Sequence, residues 1–105
     1  MNNKEELKQR IKNVVLTIDP SAEILLYGSQ VRGDAKPDSD WDVLILTQLP
    51  VTEEIKRDIR HRLYEIEWDM GEIISSIIHH TNEWESPPLI YTPFYQNVSR
   101  EAVRL

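Results

Sequence analysis

The chain has 105 residues, 40% hydrophobic and 29% charged, an ordinary composition for one soluble globular domain spanning 1–105. Its 18 Asp and Glu outnumber 12 Lys and Arg to give a formal net charge of −6, and the bases do not cluster, which argues against nucleic-acid binding. With no cysteine there is neither a disulfide frame nor a thiolate metal site, as expected of a cytoplasmic protein. No apolar run approaches the roughly 20 residues of a membrane span, and Met1-Asn2-Asn3-Lys4-Glu5-Glu6 lacks the apolar segment of a signal peptide.

Asn3 and Glu6 have the spacing of a capping box, and Leu7, Ile11, Val14 and Val15 fall on one face, which predicts a helix from Asn3 to about Leu16. Asp19-Pro20-Ser21 reads as a stop and turn. Glu23 to Tyr27 is a buried strand ending at Gly28, and a short helix starts at Ser29, which also caps it, and fails by Gly33. Pro37 makes Asp34 to Ser39 a loop, and Asp40 to Leu46 is the second strand. Thr52 caps a helix with Glu53 and Glu54 in its first turn and a buried stripe of Ile55, Ile59, Leu63 and Ile66. Gly71 ends it, and Glu72 to Ile78 is a third strand. Thr81 to Glu85 makes a helical turn, Pro87-Pro88 a break, and Thr92-Pro93 opens a short last helix. This order implies a small α/β (α+β) domain, a mixed sheet with helices packed on it.

One stretch carries chemistry. Gly28-Ser29 ahead of a short helix offers free backbone N–H groups for a phosphate. About ten residues later, Asp40 and Asp42 stand two apart at the mouth of a strand, so they share a face while Trp41 points opposite. Two carboxylates 4 Å apart repel by roughly 4 kcal/mol at an effective dielectric near 20. Such a pair usually holds a divalent cation or keeps one member protonated. Together the two features outline a nucleoside triphosphate site.

Gly28-Ser29, Arg32-Gly33 and Ser39-Asp40-Trp41-Asp42 resemble the Gly-Ser-x-x-Arg-Gly … Ser-Asp-x-Asp signature of the DNA polymerase beta-like nucleotidyltransferases, and most of all their short bacterial branch, the minimal nucleotidyltransferases. The resemblance implies a polymerase beta palm-like fold. It implies that Ser29 contacts phosphate and that Asp40 and Asp42 bind Mg2+ beside a third acid from a later strand. Candidate nucleotide contacts are Gly28, Ser29, Gln30, Arg32 and Ser39, with Arg32 also able to clamp the loop through Asp34 or Asp38. The slot for the third acid falls near Ile74-Ser75-Ser76-Ile77 and holds serine. Glu72 is the candidate for that catalytic role, although its offset of three from Ser75 sets it on the opposite face of a regular strand; Glu67 and Asp69 lie in the preceding turn.

The expected function is magnesium-dependent transfer of a nucleoside monophosphate from an NTP, with ATP favoured, to a hydroxyl acceptor. The resemblance implies a protein acceptor, a tyrosine of a HEPN-type toxin, with this chain as its antitoxin. The alternative is an antitoxin module that binds nucleotide or partner and has lost transfer, which the serine in the third-acid slot favours. The oligomeric state stays open. His79-His80 reads as a polar strand end, since neighbours in a strand face opposite ways and zinc needs three or four donors. His61 sits on a polar helix face, and Trp41, Trp68 and Trp84 read as core. Tyr91, Phe94 and Tyr95 either cover the core or dock a partner.

Overall fold

Strand Trp41–Thr47 is apolar on both faces, and helices cover it from both sides. The computed structural model describes residues 3–105. In chain order the elements are α1 (Asn3–Ile18), β1 (Glu23–Tyr27), α2 (Ser29–Arg32), β2 (Trp41–Thr47), α3 (Glu53–Met70), β3 (Ile74–His80), α4 (Thr81–Trp84), a 3₁₀ turn at Leu89–Tyr91, α5 (Pro93–Glu101) and β4 (Val103–Arg104). They form a mixed α/β fold around a four-stranded sheet of order β3-β2-β1-β4. β1 is antiparallel to β2 and β4, whereas β2 and β3 run parallel, and α3 supplies the crossover that a parallel pair requires.

Trp41, Val43 and Ile45 turn to one side of β2 and pack with Leu7, Ile11 and Val15 of α1 and Ile59, Leu63 and Ile66 of α3. Leu44 and Leu46 turn to the other side, where Trp84 and Val98 close a second cluster with Phe94 and Tyr95 at its edge. Burial on both faces accounts for the run of apolar residues without polar alternation. The helix ends obey local chemistry. The Thr52 hydroxyl accepts from the Ile55 N–H at 3.1 Å, and the Thr92 hydroxyl accepts from Tyr95 N–H at 3.1 Å with Pro93 at the first helical position. Gly71 ends α3 in the left-handed conformation at φ 67°.

The structure corrects several expectations. β3 spans Ile74–His80 instead of 72–78, because its register is set by pairing with Trp41–Thr47. Its last residue, His80, accepts from the Asn82 N–H at 3.1 Å and so caps α4. α1 runs two residues past Leu16. Asn3 is already helical, so the capping position before it lies outside the described residues. Trp41 and Trp84 are buried, but Trp68 is 81% exposed, since it falls off the Ile59–Leu63–Ile66 stripe. The 3₁₀ turn after Pro88 and the two-residue β4 had no signal in the sequence pattern.

Candidate active site

Asp40 precedes β2 directly and Asp42 is its second residue. Tyr27 on β1, Asp42 on β2 and Ser75 on β3 stand in one cross-strand row. Alternation along β2 sends Asp42 to the side of Leu44 and Leu46, and Trp41, 3% exposed, to the side of α1 and α3. Asp42 therefore faces the head of α2. A Cβ added to Gly28 would overlap Asp42 Oδ2 and lie 3.2 Å from its Cγ, and Gly28 has φ 81°. Close approach of a carboxylate and a positive φ together require glycine here.

Burial pushes the Asp42 carboxyl above the usual carboxylate range, and the negative charges of Asp40 and Glu101 push it the same way against a counter-pull from Arg32. Asp40 is exposed and accepts a hydrogen bond from the Ser75 hydroxyl at 2.8 Å. Ser75 thus holds the strand position beside Asp42 where the resemblance expects an acid.

The Gly28-Ser29 turn differs in one detail from its expectation. Gly28, not Ser29, is the N-cap of α2, and Ser29 is the first helical residue. The N–H groups of Val31 and Arg32 both donate to the Gly28 carbonyl at 3.0 Å, so Val31 is already engaged. Ser29 and Gln30 carry the first-turn N–H groups that the helix itself does not use. The Gln30 amide donates to the Ser39 carbonyl at 3.3 Å, and the Ser39 hydroxyl accepts from the Lys36 N–H at 2.8 Å, which folds loop 34–39 back onto α2. Arg32 pairs with Asp34 at 3.5 Å and with Glu101 at 3.3 Å.

Glu72 does not join Asp40 and Asp42. Its carboxylate accepts from Trp41 Nε1 at 3.3 Å, on the opposite side of β2. There it lines a cleft of about 410 Å³ with Lys4, Gln30, Lys36 and Trp41. The cause is parity: Glu72 precedes the core residue Ile74 by two and shares its side, whereas Ser75 faces the other. Asp69 is no substitute, since it pairs with Arg10 at 2.9 Å. Among the described residues no group of three or more His, Cys, Asp and Glu could hold a metal ion. Two carboxylates still fit magnesium, which takes one or two from a protein and completes its shell with phosphate oxygens and water.

The acid that sequence reading missed is Glu101, at the C-terminal end of α5. Its Oε1 accepts from the Gly28 N–H at 3.3 Å while both its oxygens meet Arg32. Seventy-three residues separate Glu101 from Gly28, and no spacing rule could have paired them.

A mixed sheet that presents a Gly-Ser turn after one strand and paired aspartates at the head of the next is the architecture of a nucleotidyltransferase. Residues 8–93 match the family described as nucleotidyltransferase domain, and the chain belongs to that family. It is 28% identical over 109 residues to a spectinomycin 9-adenylyltransferase of Campylobacter jejuni, an alignment covering 97% of this chain and 42% of that protein. The chain thus spans less than half the length of this curated relative. A solved structure described as a candidate minimal nucleotidyltransferase superposes with a TM-score of 0.61 at 24% identity, covering 96% of this chain and 94% of the other. That likeness concerns the fold. No described helix is long and apolar enough to cross a membrane.

Proposed function

We propose that the protein transfers a nucleoside monophosphate from a nucleoside triphosphate, ATP by analogy with the adenylyltransferase relative, to a hydroxyl acceptor. The observation that carries this reading is the packing of the Asp42 carboxylate on Gly28, which sets the acid pair against the phosphate turn. Asp40 and Asp42 would hold Mg2+, which supplies charge neutralisation at the attacking and leaving oxygens. The Ser29 hydroxyl and the N–H groups of Ser29 and Gln30 would hold the β- and γ-phosphates. Gly28 lets the Asp42 carboxylate come up against the turn, and Gln30 with Ser39 holds the loop that would flank the phosphates. Resemblance to the minimal branch supports a tyrosine of a HEPN-type partner protein as the acceptor; the curated relative supports a small hydroxylated molecule such as spectinomycin.

A second reading is a module that binds nucleotide or partner without transfer. Ser75 in the strand position beside Asp42, in place of a third carboxylate, favours it. One experiment separates the two: incubation with magnesium and α-labelled ATP, alone, with spectinomycin and with the protein encoded next door. Label on any acceptor supports transfer. ATP binding without label on any of them supports the binding module. Absence of both binding and label overturns the proposed site.

A further inference from the structure

The Arg32 guanidinium at the end of α2 is paired with the Glu101 carboxylate from α5 at 3.3 Å. Glu101 places one oxygen on the Gly28 N–H at 3.3 Å and both oxygens on the Arg32 guanidinium at 3.3 and 3.4 Å. A backbone N–H and a guanidinium converging on two oxygens of one anion form the donor set by which proteins hold phosphate. Resting on the nucleotide reading above, we infer that Glu101 stands in for a phosphate group on Gly28 and Arg32, and that the triphosphate takes over these two donors as the Glu101 side chain swings away.

The backbone around Glu101 is fixed, so the exchange needs only a change of side-chain rotamer. Val98, one turn earlier, is buried, and the Ala102 N–H donates to the Val98 carbonyl at 2.9 Å. Beyond it, Val103 and Arg104 pair with Leu26 and Leu25, and the Leu105 N–H donates to the Ile24 carbonyl at 2.9 Å. The Glu101 side chain itself is 23% exposed, which leaves it a path to solvent. Arg32 would not be left alone during the exchange, because Asp34 stays beside it. The carboxylate also adds negative charge near Asp42, so its departure lowers the repulsion that an arriving anion meets.

A purely structural clamp makes the opposite prediction. If Glu101 served only to hold Arg32 in place, Glu101→Gln would loosen the turn and weaken anion binding. If it is a stand-in anion, the same change removes a competitor. Calorimetric titration of wild type and E101Q with inorganic tripolyphosphate in EDTA, and then with magnesium-ATP, decides between them. The expected result is tripolyphosphate binding about two- to fivefold tighter in E101Q, the range of a partly exposed ion pair. Equal or weaker binding overturns the inference. Should E101Q lose its cooperative melt, NMR on the wild type carries the test. The Gly28 amide and the Glu101 carboxyl carbon should both shift on addition of tripolyphosphate, and a Ser29 amide shift without them overturns the exchange. If the wild type binds neither tripolyphosphate nor magnesium-ATP, the nucleotide reading itself falls. If it binds both and E101Q binds no tighter, only the exchange falls.

Discussion

The carboxylate of Asp42 lies where the side chain of residue 28 would begin, so the glycine of the turn and the acid of the strand fit as one unit. Gly28→Ala should therefore fail twice, through its positive φ and through overlap with Asp42. A non-glycine residue held at this positive φ costs on the order of 1–3 kcal/mol, and the overlap adds to it. Urea titration should show a loss of about 2–3 kcal/mol for G28A. Adding Asp42→Ala should recover the steric part and leave the backbone part, a coupling that a double-mutant cycle reads directly. A G28A protein as stable as wild type would disprove the packing.

Asp42 makes a prediction in pH. Burial and the neighbouring charges raise its folded-state pKa above the unfolded value, so folding favours the protonated form. That stabilisation is fully present below the unfolded pKa near 3.9 and is lost as pH rises through the folded pKa. At neutral pH Asp42→Asn relieves the repulsion, so metal-free D42N should melt at the same temperature as wild type or slightly higher, with the gap narrowing toward pH 4. At a hundredfold excess over Kd, magnesium-ATP should stabilise the wild type by about 2.7 kcal/mol and D42N not at all. A D42N protein that gains as much from the ligand would remove Asp42 from the site.

Ser75 tests whether the strand position can be restored. Ser75→Asp puts a third carboxylate beside Asp42 and takes a hydrogen bond from Asp40. The metal-free protein should lose roughly 1 kcal/mol, and magnesium should restore it. If transfer in the wild type is limited by a missing general base, the labelled-AMP rate should rise by about 100-fold, the low end of such catalysis. No magnesium dependence in the melt would show that the three acids do not share a cation.

The tryptophans should separate cleanly. Trp84 packs against Phe94 with ring centroids 5.7 Å apart and against Tyr95 at 4.8 Å, so Trp84→Ala should cost about 3–5 kcal/mol. Trp68→Ala should change stability by no more than about 0.5 kcal/mol. Iodide should quench the Trp68 fluorescence and leave Trp84 dark to the quencher. Protection of Trp68 would show that its face is covered in solution.

The acid pair and the glycine turn were legible because they lie within fifteen residues and strand parity is local. The buried stripe Ile59–Leu63–Ile66 and the caps Thr52 and Thr92 were legible for the same reason. The need of the site for a third acid points to Glu72, but strand parity sets it on the side of Trp41, and the structure follows parity. Trp68 departs from the expectation of core because helical periodicity puts it outside the Ile59–Leu63–Ile66 stripe. Glu101 and β4 were invisible, since each is defined only by a partner far back in the chain.

Those sequence separations have a kinetic meaning. Gly28, Ser29 and Asp40 lie in the single connection 28–40 between the antiparallel strands β1 and β2, and Asp42 lies in β2 itself, whereas Ser75 reaches Asp40 across 35 residues and Glu101 reaches Gly28 across 73. Closing longer loops costs more chain entropy before any contact rewards it. The β1–β2 unit with its turn can thus assemble before the groups that tune its charge arrive. Changes at Ser75 and Glu101 should appear mainly in the rate of unfolding, and changes at Gly28 in the rate of folding.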